Sequence, residues 1–366
     1  MAPSAVYNTP FSVDTTKQTD TTKGLKHVTL RASNGEALPE IGTLEPSTLD
    51  EPIEELRRRY EKNGYLWVKG ILDRERVLQM REQYFKFMRE NGDTHITADG
   101  TNPRDGIFSQ RDWREFLLPG ALRVFNGLKD EGIFVDKIFA AHIADFYKEF
   151  KEVATKPIDD FVGKLCSFED PMCLVRSLLR CNVPGGETTP VHYDQIYLRA
   201  GPPTSITGWI PLGDCSLVGG GLMYLEDSVS VGKKFEADFT EKNAQLSDEE
   251  RISAFNKNMN AGGFLDRNAA TFGKHWGKKW LVAEYEAGDV VFHNPFMVHA
   301  SCKNESPENI IRLSTDLRFV DRKKPYDERW MVHAYVDADP NVGSRQKKDP
   351  PIQKEQEKEL PVSVSH

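Results

Sequence analysis

Apolar residues recur at helical spacing in the first half of the folded body and in short, strand-like runs in the second. Ile53, Leu56 and Tyr60 mark one helical face, and Asn63-Gly64 supplies a stop. Tyr65–Leu72 then reads as a strand. Asp73 suits the N-cap of a helix carrying Val77, Leu78, Met80, Tyr84, Phe85 and Met88, closed by Asn91-Gly92. A further amphipathic stretch spans about Ile138–Val153. From Cys173 the period shortens. Apolar runs bounded by Gly, Pro and Asn fall at Cys173–Val183, Thr189–Arg199, Ser205–Leu212, Leu222–Leu225, Trp280–Tyr285, Val290–Phe292 and Ile310–Phe319. Many short strands with turn signals between them predict a β-sandwich or barrel. Helices first and strands after predict an α+β arrangement, with the helices on one face of the sheets.

The ends carry no such period. Residues 1–48 are expected to form a flexible N-terminal arm, its first part rich in Thr, Ser, Asp and Lys, and residues 337–366 a charged tail. One domain, 49–336, is expected between them. Within it, 228–280 is longer than a turn between two strands requires and reads as an insertion, a candidate lid. Ser247 and Glu250 form a capping pair there, Gly262, Gly263, Gly273 and Gly277 offer hinges, and Phe264, Phe272 and Trp276 offer rings to close over an apolar ligand.

Composition narrows the partners. A net charge of -8 argues against a surface built for nucleic-acid phosphates. No apolar run reaches the roughly 20 residues of a membrane-crossing helix. Five cysteines, an odd number without a CxxC pair, read as reduced thiols and point to a cytoplasmic protein. The expected partner is a small-molecule substrate, and a homodimer stays open.

His192 and Asp194 stand two apart in Pro190-Val-His-Tyr-Asp194. In a strand both project from one face, so an imidazole and a carboxylate can take adjacent positions on a metal. The alternative is a histidine merely hydrogen-bonded to a nearby carboxylate. His299 offers a third ligand, and two histidines with one carboxylate leave open positions for O2 and a chelating co-substrate. His293 and His275 compete for that third place. Downstream, Ile310–Phe319 alternates: Arg312, Ser314, Asp316 and Arg318 on one face, Leu313, Thr315, Leu317 and Phe319 on the other. The polar face either lines an anion pocket, where Arg312 and Ser314 would offer a planar fork and a hydroxyl to a carboxylate, or is a solvated exterior.

Several motifs in order resemble the phytanoyl-CoA dioxygenase family of Fe(II)/2-oxoglutarate oxygenases over roughly residues 55–320. They are Tyr60-Glu-Lys-Asn-Gly-Tyr-Leu-Trp-Val-Lys-Gly-Ile-Leu72, His192-Tyr-Asp194, Gly208-Trp-Ile-Pro-Leu-Gly-Asp214, Gly219-Gly-Gly-Leu-Met-Tyr-Leu-Glu-Asp-Ser228, Ala287-Gly-Asp-Val-Val-Phe-His293, and His299 with Arg312. The resemblance implies a double-stranded β-helix (jelly roll, cupin-like) core with flanking N-terminal helices. It implies Fe(II) on His192, Asp194 and His299, with 2-oxoglutarate and O2 as co-substrates. Arg312 and Ser314 would hold the far carboxylate of 2-oxoglutarate, with Arg318 as the substitute for Arg312. Trp209 matches a family tryptophan near the co-substrate, and also reads as an ordinary core residue. The implied reaction is hydroxylation, or desaturation or cyclisation, at an aliphatic C–H bond of a secondary metabolite or amino-acid-like molecule. Halogenation is disfavoured because Asp194 fills the position a halide would need. The competing readings are a cupin-like metalloenzyme that does not use 2-oxoglutarate, an acyl-CoA hydroxylase of the phytanoyl-CoA type, and a non-catalytic binding protein on the same fold, against which an intact ligand triad argues.

Overall fold

A computed structural model describes residues 28–90, 94–117, 133–254 and 263–334. Helix α1 (Ile53–Asn63) ends at Gly64, whose φ of 74° lets its N–H return to the Tyr60 carbonyl. A Cβ at Gly64 would lie 2.4 Å from Val229 Cγ2, so both conformation and space require glycine. Helix α2 (Arg74–Arg89) opens where expected, with the Asp73 carboxylate accepting from the Arg76 N–H at 2.9 Å. The stretch read as one amphipathic unit is two helices, α3 (Ile133–Ile143) and α4 (Asp145–Cys166), separated by Ala144 in an extended conformation. Both present apolar residues to the same core, so the period runs on across the break.

The strands form two sheets. The smaller has the order β1 (Ile41–Thr43), β8 (Trp280–Val282), β7 (Leu222–Leu225), β10 (His299–Ser301). The larger has the order β2 (Pro46–Ser47), β3 (Tyr65–Val68), β9 (Val290–His293), β6 (Ile206–Pro211), β11 (Arg312–Asp321), β4 (Pro171–Cys173). β5 (Leu178–Asn182) also pairs with β11. The predicted run Cys173–Val183 is thus two strands, and Thr189–Arg199 is isolated bridges at Val191 and His192 followed by a 3-10 turn over Asp194–Tyr197.

Alternation sorts the side chains into layers. Leu66, Ile210, Phe292, Leu313, Leu317 and Phe319 face the helical core with α1, α2 and α4. Tyr65, Trp67, Trp209 and Val291 of the larger sheet meet Leu222, Tyr224 and Leu281 of the smaller. Behind the smaller sheet, Met223, Leu225, Trp280 and Val282 are covered by residues of the insertion and by Leu30 and Ala32.

The arm expected over 1–48 is therefore corrected: residues 28–48 belong to the fold. β1 pairs in parallel with β8 and β2 with β3, and Leu30, Ala32 and Leu44 are buried. Strands of three and two residues are too short to leave a period in the sequence. Residues 1–27, the 337–366 tail and the Asn91-Gly92 stop lie outside the described residues. All five cysteines are free thiols, and among the described residues no helix is long and apolar enough to cross a membrane.

Candidate metal centre

The site forms where two extended segments meet. His192 and His299 exchange backbone hydrogen bonds, His192 N–H to His299 O at 3.0 Å and the reverse at 2.9 Å. Tyr193 between His192 and Asp194 is extended (φ -129°, ψ 150°), so its neighbours project to one side although no regular strand forms there. One donor atom from each of His192, Asp194 and His299 lies within 4.8 Å of the others. Asp194 Oδ1 stands 3.8 Å from His192 Nε2 and 3.9 Å from His299 Nε2. Each histidine is tied back through Nδ1, His192 to Pro190 O at 2.8 Å and His299 to Met297 O at 2.9 Å. A carbonyl can only accept, so Nδ1 carries the proton and both Nε2 lone pairs face the shared point. All three residues are buried. Burial pushes His192 down to about 4 and, with His192 and His293 adding to it, His299 well below the ordinary range.

Asp194 is held through both oxygens. Oδ2 accepts from the Thr207 hydroxyl and lies 3.3 Å from His293 Nε2; Oδ1 accepts from Arg318 Nη2 at 3.1 Å. Burial disfavours the carboxylate, but Arg318 and His293 outweigh it and hold the group well below the carboxylate range. His293 is therefore part of the cluster, yet both its nitrogens are engaged, since Nδ1 meets the Tyr224 hydroxyl at 3.2 Å. His275, the other competitor, is exposed on a helix and packs edge-on with Trp276. Thr207 and Arg180, which pairs with Asp316 at 2.9 Å, also line the cavity at this centre and carry no motif in the sequence. Inward parity with Trp209 was the only signal for Thr207.

The polar face of β11 is interior, and the solvated reading of it does not hold. Arg312 is buried, with three of its five N–H groups donated to Gly220 O (2.9 Å), Ser314 Oγ (2.8 Å) and Ser301 Oγ (3.2 Å). Ser301 and His299 share a face of β10, so this serine that holds Arg312 is one strand repeat, about 7 Å, from the histidine. Arg318 sits at the other end of the face, beside Asp194 and with its guanidinium 4.5 Å over the Trp330 ring. Trp209 is fully buried, edge-on to Tyr285 at 4.7 Å, and its Nε1 has no hydrogen-bond partner among the described residues.

The sequence model of the phytanoyl-CoA dioxygenase (PhyH) family matches residues 60–313. The chain belongs to this family. No curated protein sequence matches it. Three solved structures are similar in chain path. The non-haem alpha-ketoglutarate-dependent epimerase SnoN from nogalamycin biosynthesis is 16% identical, with 74% of this chain and 83% of that chain covered and a TM-score of 0.42. The carbocyclase SnoK from the same biosynthesis is 17% identical, covering 76% and 88%, at 0.43. AviO1 from Streptomyces viridochromogenes Tue57 is 13% identical, covering 75% and 97%, at 0.44.

In this member of the PhyH family the insertion holds three helices among the described residues: α5 (Val229–Lys242), α6 (Asp248–Ile252) and α7 (Ala269–Trp276). The Ser247/Glu250 capping box is present. Gly262 lies outside the described residues. Phe272 and Trp276 do not face the metal centre. They pack with Phe235 behind the smaller sheet, because their i, i+4 spacing makes one apolar face of α7. Phe264 is buried, with Arg267 5.8 Å over its ring. The insertion instead grips the segment that carries His192 and Asp194. Tyr197 donates to Gly263 O at 2.8 Å, and Val191 bridges to Asp266.

Proposed function

We propose that this chain is an Fe(II)- and 2-oxoglutarate-dependent oxygenase acting on an aliphatic C–H bond of a small molecule, a secondary metabolite or amino-acid-like compound. The observation that carries the reading is the convergence of His192 Nε2, Asp194 Oδ1 and His299 Nε2, with each Nδ1 tied to a carbonyl. That donor set fits a ferrous ion: two neutral imidazoles and one carboxylate on one side leave the other side for co-substrates. The two sheets facing one another across the site suit a double-stranded β-helix.

When bound, iron with 2-oxoglutarate and O2 supplies an oxidative decarboxylation, giving succinate and CO2 and oxidising power for a C–H bond. The chain's residues position and exclude. Thr207 and His293 fix the Asp194 plane from Oδ2, while Oδ1, which spends one of its two lone pairs on Arg318, would offer the other to the metal. Arg312 with Ser314 would hold the far carboxylate of 2-oxoglutarate at the buried end of the polar face, where desolvation strengthens an ion pair. Trp209 would wall that end. The insertion would close the outside of the segment that carries two ligands.

The test is anaerobic loading with one ferrous ion per chain, then succinate release from 2-oxoglutarate on exposure to O2. Slow basal release is expected, and its loss in His192→Ala, Asp194→Ala and His299→Ala without loss of fold. Iron-loaded protein that leaves 2-oxoglutarate untouched would move the reading to a metalloenzyme that does not use it.

A further inference from the structure

Tyr193 stands between two ligands and points away from them, into the insertion. Its side chain is fully buried, and its hydroxyl donates to Glu236 Oε2 on α5 at 2.7 Å. The 3-10 turn that begins at Asp194 delivers Arg199 back to the same carboxylate, Nε to Oε1 at 2.7 Å and Nη2 to Oε2 at 2.9 Å. Only 4% of the Arg199 side chain and 17% of that of Glu236 is exposed. The guanidinium also lies 3.6 Å over Phe239, one turn further along α5. One carboxylate therefore grips the chain on both sides of Asp194.

We propose that Glu236 is a positioning residue for the metal centre. By fixing the Tyr193 ring it sets the backbone angle at which His192 and Asp194 present their donors, and by fixing Arg199 it sets where the Asp194 turn closes. The proposal rests on the metal reading of His192, Asp194 and His299 and deepens it. It gives the insertion a role in the site that needs no closing motion. A neutral partner cannot replace Glu236, because Arg199 would keep its charge in a dry place with its counter-charge gone and one carboxylate acceptor turned into a donor. Outer partners of metal ligands typically affect metal affinity by about ten- to a hundred-fold.

The experiment is a titration of the full-length protein with Co(II) alone, read by visible absorption, alongside thermal unfolding. Glu236→Gln is expected to weaken Co(II) about ten- to a hundred-fold and to change the spectrum of the saturated site, which lost stability by itself would leave alone. The double variant Arg199→Met/Glu236→Leu removes both charges and should recover thermal stability without recovering affinity, since Tyr193 still lacks its acceptor. Tyr193→Phe, which keeps the ion pair, provides a variant expected to fold and should show a smaller loss with the same spectral change. A wild-type spectrum and affinity in Glu236→Gln or Tyr193→Phe, or recovery of affinity together with stability in the double variant, would overturn the proposal. Wild-type protein that binds no Co(II) would instead overturn the metal reading beneath it.

Discussion

Three imidazoles crowd Asp194, and what their nitrogens already do favours His192 and His299 as the proposed ligands and His293 as their supporter. His293 lies 4.5 Å from His299, ring to ring, about as close as His192 at 4.2 Å. Proximity therefore decides nothing. His192 and His299 spend Nδ1 on carbonyls and keep Nε2, whereas His293 uses Nδ1 on Tyr224 and Nε2 on Asp194. Replacing His293 by Phe removes one hydrogen bond to a charged carboxylate, worth about 1.5–3 kcal/mol. At about 1.4 kcal/mol per factor of ten, metal affinity should fall roughly ten- to a hundred-fold while a site persists. His299→Ala removes a ligand and should abolish specific binding. Equilibrium Co(II) titration against a competing chelator measures both. Retained binding in His299→Ala with none in His293→Phe would refute the assignment and exchange the two roles.

Arg312→Gln should raise the KM for 2-oxoglutarate by about ten- to a hundred-fold, the loss of a charged hydrogen bond, with metal affinity nearly unchanged. An unaltered KM, with a large effect from Arg318→Gln, would transfer the role. His142 predicts a pH effect away from the site. It is fully enclosed between Ile138 O (2.7 Å) and the Leu179 N–H (2.9 Å), and burial pushes it from 6.5 down to about 4. The unfolded chain takes up that proton first, so stability present above 6.5 should fall as pH drops towards 4. The two and a half units, at about 1.4 kcal/mol each, make roughly 3.5 kcal/mol. Urea unfolding of wild type and His142→Gln at pH 7 and 5 should give a flatter dependence in the variant. Parallel dependences would refute it.

Much of this was legible because local rules operate where the chain is regular. Asp73 and Gly64 bound their helices as their chemistry requires, and the parity of Ile310–Phe319 separates the leucine face from the arginine face, though not the buried position of the latter. His192 and Asp194 were paired by alternation, and that held through one extended residue, Tyr193, without a strand. What stayed hidden depends on contacts across the sequence. Arg312 and Arg318 have the same parity, so periodicity could not tell them apart. Register does: Arg318 lies opposite Thr207, which lies opposite His293, and so falls at the Asp194 level. Arg312 lies opposite Asn182, beside Ser301. Glu236 sits on a helix whose own pattern gives no sign that its carboxylate reaches back to Tyr193.

Those two levels exist only if β11 cannot slip. A shift of one residue would send Arg312, Asp316 and Arg318 into the helical core and turn Leu313 and Leu317 towards the metal, because side chains alternate strictly. β11 is guarded on both edges, by β6 over Ser314–Phe319 and by β5 and β4 on the other side. Tyr147 of α4 adds a cross-layer contact to the Thr315 hydroxyl at 2.6 Å from the opposite face. Buried charges alone would destabilise such a strand. Here each meets a partner at its own level: Arg312 the serines, Asp316 Arg180, and Arg318 Asp194. The apolar face sets the register with the free energy of the helical core, and the polar face inherits its spacing. The two roles proposed for Arg318 and Arg312 are thus held apart on one strand by packing that takes place on its other side.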